Sequence, residues 1–429
     1  MNIIKSLRFS TLCNPFLIWF VISTIYLTLI FTFLINAPLR ADEKHIIETI
    51  KLFRETDLIH VIKDYPQVTP PLFYITLAIW TKLLGFNIIT QRLFIILIAF
   101  ISFQLIFYLL QYSLKRVLMS VMLSLLILIN PYFIGLSIFI YTDMLMILFI
   151  LLAILFIMKN RLWLFCIFSA LAILVRHYAV ILPMSVFVYA FIRKFIFREN
   201  IKKLLITSSI SVMPLFILFF FWRGFAPQSG IQRWMIENET FYNLSYINSY
   251  LTFSFIYLLP LTFYYLIKKV KQKINENSSK IDSANVSTKF ILKFYILIKR
   301  NWALVLVALL LTVILSFFPV EVSKVTLIQT DTKTIGLVHK ILVIFLGDGV
   351  ILRSVFIMVL FLSILFNIIL IKNYLVEIKA KNVDYHLLLI IMWIIFLLIM
   401  PLSYQIWEKY LTMIIPSLVI GTSKKLFVP

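Results

Sequence analysis

Apolar runs of about 20 residues recur along the chain, and short clusters of Lys and Arg separate them. A helix of that length rises about 30 Å, the thickness of a bilayer core. The pattern predicts spans near 15–37, 92–113, 117–134, 143–158, 162–176, 178–192, 204–222, 249–267, 302–319, 354–371, 386–407 and 410–422. No small-residue cleavage pattern follows the first run, Pro15 to Ala37, and it is too long for a signal core, so it predicts a retained helix. The pattern changes in residues 38–91. There Ile46, Ile47, Ile50 and Phe53 repeat at helical spacing, with Glu48, Lys51, Arg54 and Glu55 opposite them. That predicts an amphipathic helix lying in the membrane interface. Pro70 and Pro71 can only open a helix, so 70–86 ("PPLFYITLAIWTKLLGF") predicts a second, more deeply seated one. Together the two would roof one face of the bundle.

Composition agrees with the pattern: 62% of the 429 residues are apolar and only 14% are charged, against about 25% charged in soluble domains. The fold class expected is an all-α polytopic membrane protein. The net charge of +22 raises the question of nucleic acid, which the distribution of the charges answers. With 70–86 kept out of the membrane, one face carries 25 Lys/Arg against 5 Asp/Glu and the other 15 against 13. That is a positive-inside signal, so the basic charge orients the chain and no nucleic-acid partner is expected. Twelve spans with both termini cytoplasmic follow. Residues 268–301 are rich in Lys, Asn and Ser and read as a cytoplasmic linker between an N-terminal module, 1–267, and a C-terminal one, 302–429. Asn238 and Asn243 open Asn-x-Ser/Thr tripeptides on the outer face. Cys13 and Cys166 build neither a disulfide framework nor a metal site.

Four charged features gather on the outer face. Asp42, Glu43 and His45 follow the first span; Tyr141-Thr142-Asp143 opens the fourth; Arg176 and His177 interrupt "ILVRHYAVILP"; Glu408, Lys409 and Tyr410 precede the last span. Taken singly, these are solvated loop charges, an acid on a helix dipole and snorkelling cations. Their convergence on one face favours a site, since ionisable groups at spans normally face a cavity or a partner. No Gly-rich phosphate cradle is present in a chain with eight glycines, which disfavours a nucleotide-sugar donor. Transfer from a lipid-phosphate donor fits better. An anionic phosphate leaving group needs nearby cations, and the acceptor hydroxyl needs one general base.

These residues resemble the integral-membrane glycosyltransferases of the GT-C fold. Asp42-Glu43-x-His45 is one residue shorter than the Asp-Glu-x-x-His of the dolichyl-phosphate-glucose α-1,2-glucosyltransferase family. The chain is similar to that family again at Thr69-Pro70-Pro71-Leu72-Phe73-Tyr74, at Tyr141-Thr142-Asp143 and at Arg176, where the family has Arg-Gln-Thr-Asn. "FWRGFAPQSGIQRW" (221–234) is similar to a Trp-x-Gly-x-x-Pro stretch of bacterial relatives. The resemblance covers 40–235 and then 404–416. It implies a polyprenyl- or dolichyl-phosphate-sugar donor, glucose first among the sugars, and a lipid-linked or surface glycan acceptor. It also implies inversion at the anomeric carbon without a nucleotide; no cofactor and no metal site are expected from the residues. Asp42 would be the general base with Glu43 beside it, and His45 either bonds this acid pair or serves as base itself. Asp143 would be a second site acid; Arg176, His177 and Lys409 would hold the donor phosphate; Tyr141, Glu408 and Tyr410 would support the acceptor. The membrane would be the bacterial inner membrane, or the endoplasmic reticulum in a eukaryote. A transporter, or a flippase or polymerase of lipid-linked glycans, is the competing reading. A transporter needs charges at mid-membrane and paired broken helices.

Overall fold

In a computed structural model, the residues described are 14–233, 242–264, 302–322, 334–381, 384–403 and 405–427. The expected linker 268–301 and Asn238 lie outside them. Every element among them is helical. Among the described residues, six helical segments are long and apolar enough to cross a membrane: Pro15–Leu34, Ile88–Leu114, His177–Phe197, Lys202–Trp222, Val350–Lys379 and Tyr385–Leu402. The chain is thus a helical membrane protein.

The contacts divide the chain into two compact units. One comprises 1–191 and 200–236, the other 192–199 and 237–429. In the first unit, α1 (Pro15–Leu34) opens with Pro15 at its first position, and Asn14 caps it by accepting the Phe16 N–H at 3.0 Å. The connection to the next long helix folds as α2 (Ala41–Glu55), α3 (Leu58–Lys63) and α4 (Leu72–Leu84). Ile46, Ile50 and Phe53 are buried on one face of α2, as the periodicity requires, and Phe53 meets Tyr65 and Tyr74 at ring distances of 5.2 and 5.8 Å. Helix α4 starts after Pro71 and stops at Gly85, whose φ of 96° favours glycine. Its 13 residues rise only about 20 Å, too little to cross a bilayer core. Its Trp80 donates to the Thr90 carbonyl at 2.9 Å, while Ile79, Leu83 and Leu84 stay exposed.

Helix α5 (Ile88–Leu114) packs on α1 and on α8 (Asp143–Met158). The expected span 117–134 is broken into α6 (Val117–Leu128) and α7 (Pro131–Leu136), because Asn130 caps a new helix at Pro131. Helix α8 is the most enclosed of the unit, with α9 (Leu162–Val175) against it, and α9 in turn touches α11 (Lys202–Trp222). At 16 and 14 residues, α8 and α9 are shorter than the bilayer core, and interior helices need not span it. A single 3₁₀ turn, His177–Val180, leads into α10 (Ile181–Phe197). After α11 comes the short α12 (Gln228–Arg233).

The second unit holds α13 (Leu244–Tyr257), α14 (Trp302–Ser316), α15 (Leu337–Leu346), α16 (Val350–Lys379), α17 (Tyr385–Ile399) and α18 (Ile415–Phe427). Polar side chains join its helices: Ser363 to the Leu251 carbonyl, Trp393 to Asn367 and Tyr374 to the Gly421 carbonyl, each at 2.7 Å. The spans expected at 386–407 and 410–422 end and begin instead in 3₁₀ turns, Met400–Leu402 and Glu408–Met413. Helix α15 had no counterpart in the pattern. Asn243 caps α13 by accepting from the Ser245 N–H and hydroxyl at 2.9 and 2.7 Å, so its amide already serves the fold.

Candidate functional site

The first turn of α2 contains Asp42 and Glu43, and His45 follows it. Glu43 is 0% exposed and its two oxygens are fully engaged. It reaches back to the Arg40 N–H at 2.9 Å, the reciprocal half of a capping box. It also accepts from the Ile140 N–H at 3.0 Å and from Arg92 at 3.1 and 3.3 Å. Arg92 is likewise 0% exposed. Its other nitrogen donates to the carbonyls of Leu34, Ile35 and Ala37 at 3.2, 2.6 and 2.8 Å, closing the open C-terminal end of α1. The guanidinium lies over the Phe139 ring at 5.2 Å. Glu43 is thus a structural anion that joins α1, α2, α5 and the 138–142 segment, and no oxygen is left to act on a substrate. Asp42, the next residue on α2, is half-buried.

Asp143, at the start of α8, is equally enclosed. One oxygen accepts from Arg176 at 2.9 Å and the other from the Tyr178 hydroxyl at 2.8 Å. Through these two bonds Asp143 orients both Arg176 and Tyr178. The Arg176 side chain keeps 13% of its surface open and lies over the Tyr178 ring at 5.7 Å. Arg176 and His177 do not share one face. Arg176 is extended (φ −147°, ψ 126°), which sends adjacent side chains to opposite sides. Arg176 goes to α8, whereas His177 goes to α11, with its ring 5.9 Å from Phe219 and 6.1 Å from Trp222. Tyr141 is half-buried and edge-on to Phe139 at 6.4 Å.

The 138–143 segment connects the two charged groups: its Ile140 N–H binds Glu43 and its Asp143 binds Arg176. A further set of contacts holds the α2–α3 region. Trp222, at the end of α11, donates to the Ile62 carbonyl at 2.8 Å. The Ser229 N–H donates to Asp64 at 2.9 Å, and the Ser229 hydroxyl bonds the other Asp64 oxygen. Gly230 lies so close to the Gln67 backbone that a Cβ would come within 2.4 Å of its carbonyl oxygen. Arg233 bonds Glu48 at 2.9 Å and also bonds His45 Nδ1. This hydrogen bond from Arg233 holds the Glu48 carboxyl below the usual glutamate range.

The other predicted residues belong to the second unit. Glu408 is buried, and its oxygens cap α15: they accept the Val338 and His339 N–H groups at 3.1 and 2.7 Å, and the Tyr257 hydroxyl at 2.5 Å. A carboxylate at a helix N-terminus needs no ligand to explain it. Lys409 lies over the Trp407 ring at 5.6 Å, and Tyr410 is buried. Among the described residues no group of His, Cys, Asp and Glu could hold a metal ion.

Sequence reasoning passed over Arg92, Tyr178 and Arg233. Arg92 carried the same signal as Arg176, a lone cation at the lip of an apolar run, but it was read as the edge of a span. Tyr178 adjoins the Arg176-His177 pair and gave no signal of its own. No known family model matches the chain, and no curated protein or solved structure matches it.

Proposed function

We propose that the chain is an integral-membrane glycosyltransferase of GT-C type, with about twelve membrane-embedded helices and its site on the outer or lumenal face. It moves a sugar, glucose foremost, from a polyprenyl- or dolichyl-phosphate donor to a lipid-linked or surface glycan. The acceptor hydroxyl attacks the anomeric carbon with inversion as Asp42 takes its proton. The bond from that carbon to the phosphate oxygen breaks, and the polyprenyl phosphate leaves as an anion toward Arg176. The observation that supports this reading is the Asp143–Arg176–Tyr178 group, in which a buried carboxylate holds an arginine whose side chain keeps 13% of its surface exposed. Fixed donors stabilise developing charge without reorganising. Asp42 is the carboxylate of the first turn of α2 that, unlike Glu43, is not fully buried.

The test is transfer of radiolabelled sugar from polyprenyl-phosphate donors to lipid-linked acceptors by the purified protein. Loss of a general base costs about 10²–10⁴-fold in rate, so Asp42→Asn removes most transfer while donor binding persists. Failure of every polyprenyl-phosphate hexose to support transfer, or full activity in Asp42→Asn, would refute the reading. Orientation is checked with a cysteine placed in 268–300, which reacts with an impermeant thiol reagent only after the cytoplasmic side is opened.

A further inference from the structure

The seven acids of the first unit are confined to one end of its helices. Six lie from Asp42 to Asp64, in the connection that follows α1, and the seventh is Asp143 at the start of α8. The other end carries Lys115 and Arg116 between α5 and α6, and Lys159 and Arg161 between α8 and α9. Ring contacts bring that end of α5 and α8 together with the start of α1. Phe16 meets Tyr108 of α5 at 5.9 Å, and the Lys159 ammonium lies over the same Tyr108 ring at 5.1 Å. All four cations are exposed, and none bonds a carboxylate among the described residues.

Helix dipoles account for half of this set. Lys115 and Lys159 stand at the ends of α5 and α8, where a cation is favoured. Arg116 and Arg161 stand at the starts of α6 and α9, where the dipole repels one. Neither of these helices has an acid in its first turn, and neither start is capped by a side chain. Positive charge therefore gathers where the fold offers nothing to balance it. Tyr112 and Trp163 are exposed in the same two turns, and such rings favour the headgroup level of a membrane. We propose that this end of the first unit binds anionic phospholipid headgroups, with lipid phosphates seated between the 115–116 and 159–161 turns. A lipid supplies both halves of the surface, phosphate for the cations and a headgroup boundary for the rings. Such binding is independent of any sugar transfer at the opposite end.

The experiment places the full chain in nanodiscs of phosphatidylcholine and phosphatidylglycerol in equal amounts. One of the two lipids carries a photoactivatable group beside its headgroup, and crosslinked peptides are mapped by mass spectrometry. Labelled phosphatidylglycerol marks 112–118 and 159–163 in excess over labelled phosphatidylcholine, by roughly tenfold or more. A basic residue at an anionic lipid surface is worth about fivefold. Arg116→Gln and Arg161→Gln therefore each lower the excess by about that factor, whereas Arg116→Lys and Arg161→Lys preserve it. Equal labelling by the two lipids in the wild type would overturn the proposal, and would leave this end to an acidic protein or to orientation alone. An excess found only at other segments, or one that survives the double Arg116→Gln/Arg161→Gln substitution, would overturn it as well. The wild-type labelling decides even where a Gln variant fails to insert.

Discussion

Replacing Arg92 with Met tests whether the buried Glu43–Arg92 pair holds the first unit together. The substitution keeps much of the side-chain volume and removes the charge. Glu43 would keep the Arg40 and Ile140 N–H groups and lose its bonds of 3.1 and 3.3 Å to the guanidinium. The carbonyls of Leu34, Ile35 and Ala37 would lose their common donor. Breaking a buried pair from one side costs about 3–5 kcal/mol, because the remaining charge stays buried. Each orphaned carbonyl would add about 1–3 kcal/mol if it stood alone, but all share one site and do not add. A loss of about 4 kcal/mol is therefore expected for Arg92→Met. At roughly 2–4 °C per kcal/mol for a unit of this size, the midpoint falls by on the order of 10 °C. Tryptophan fluorescence of the detergent-solubilised protein, at one fixed heating rate, measures it. Glu43→Gln costs about 3 kcal/mol, and the double variant loses less than the two single losses combined. A midpoint for Arg92→Met within about 2 °C of the wild type, or strictly additive losses, would refute the reasoning.

Further consequences follow from the contacts of α12 and α15. Gly230→Ala forces a Cβ onto the Gln67 backbone, costs about 1–3 kcal/mol, and exposes 222–233 to protease before the rest of the unit; equal protection in variant and wild type would count against it. The Glu48 carboxyl is held low by Arg233, so its bond contributes fully above the ordinary glutamate pKa of about 4.3 and is lost as pH falls through the lower folded value. Amide exchange in 226–233, corrected for the intrinsic rate, rises below about pH 4, and that rise is absent in Glu48→Gln. Glu408→Ala uncaps α15 and costs about 1–2 kcal/mol, seen as faster exchange at Val338 and His339 with no change in the first unit.

Much of the helical order was legible because the membrane imposes a length and interfaces impose a period. The 16-residue α8 begins and ends where its apolar run does, and the buried face of α2 is the one its isoleucines mark. The breaks were harder to see. Asn130-Pro131 sits inside a run that averages out as apolar, and the Asn130 side chain, bonding the Tyr132 N–H at 2.9 Å, makes it a helix start. The candidate site was legible as a set of charges and illegible as a set of partnerships. Asp42 and Glu43 are adjacent in sequence, yet the helical turn sends one into the interior and leaves the other half-buried. Which acid goes inside depends on Arg92 and Ile140, residues 49 and 97 positions away. Arg176 and His177 looked like a pair for the corresponding reason, and one extended residue parts them.

The wide spacing of those partners governs how the chain can be built. Glu43 leaves the ribosome well before Arg92, and the Ile140 N–H comes later still. Until α5 has entered the membrane the carboxylate has no cation, and until α8 begins it lacks its last donor. The α2–α4 connection must therefore wait, hydrated and unseated, through the insertion of at least two further hydrophobic segments. It locks only when the 138–143 segment arrives. A nascent chain halted just short of residue 140 would carry a loose α2, and one halted after α8 a settled one. The seating of α2 is thus tied to the arrival of α5, which brings the cation, and of the 138–143 segment, which brings the last donor.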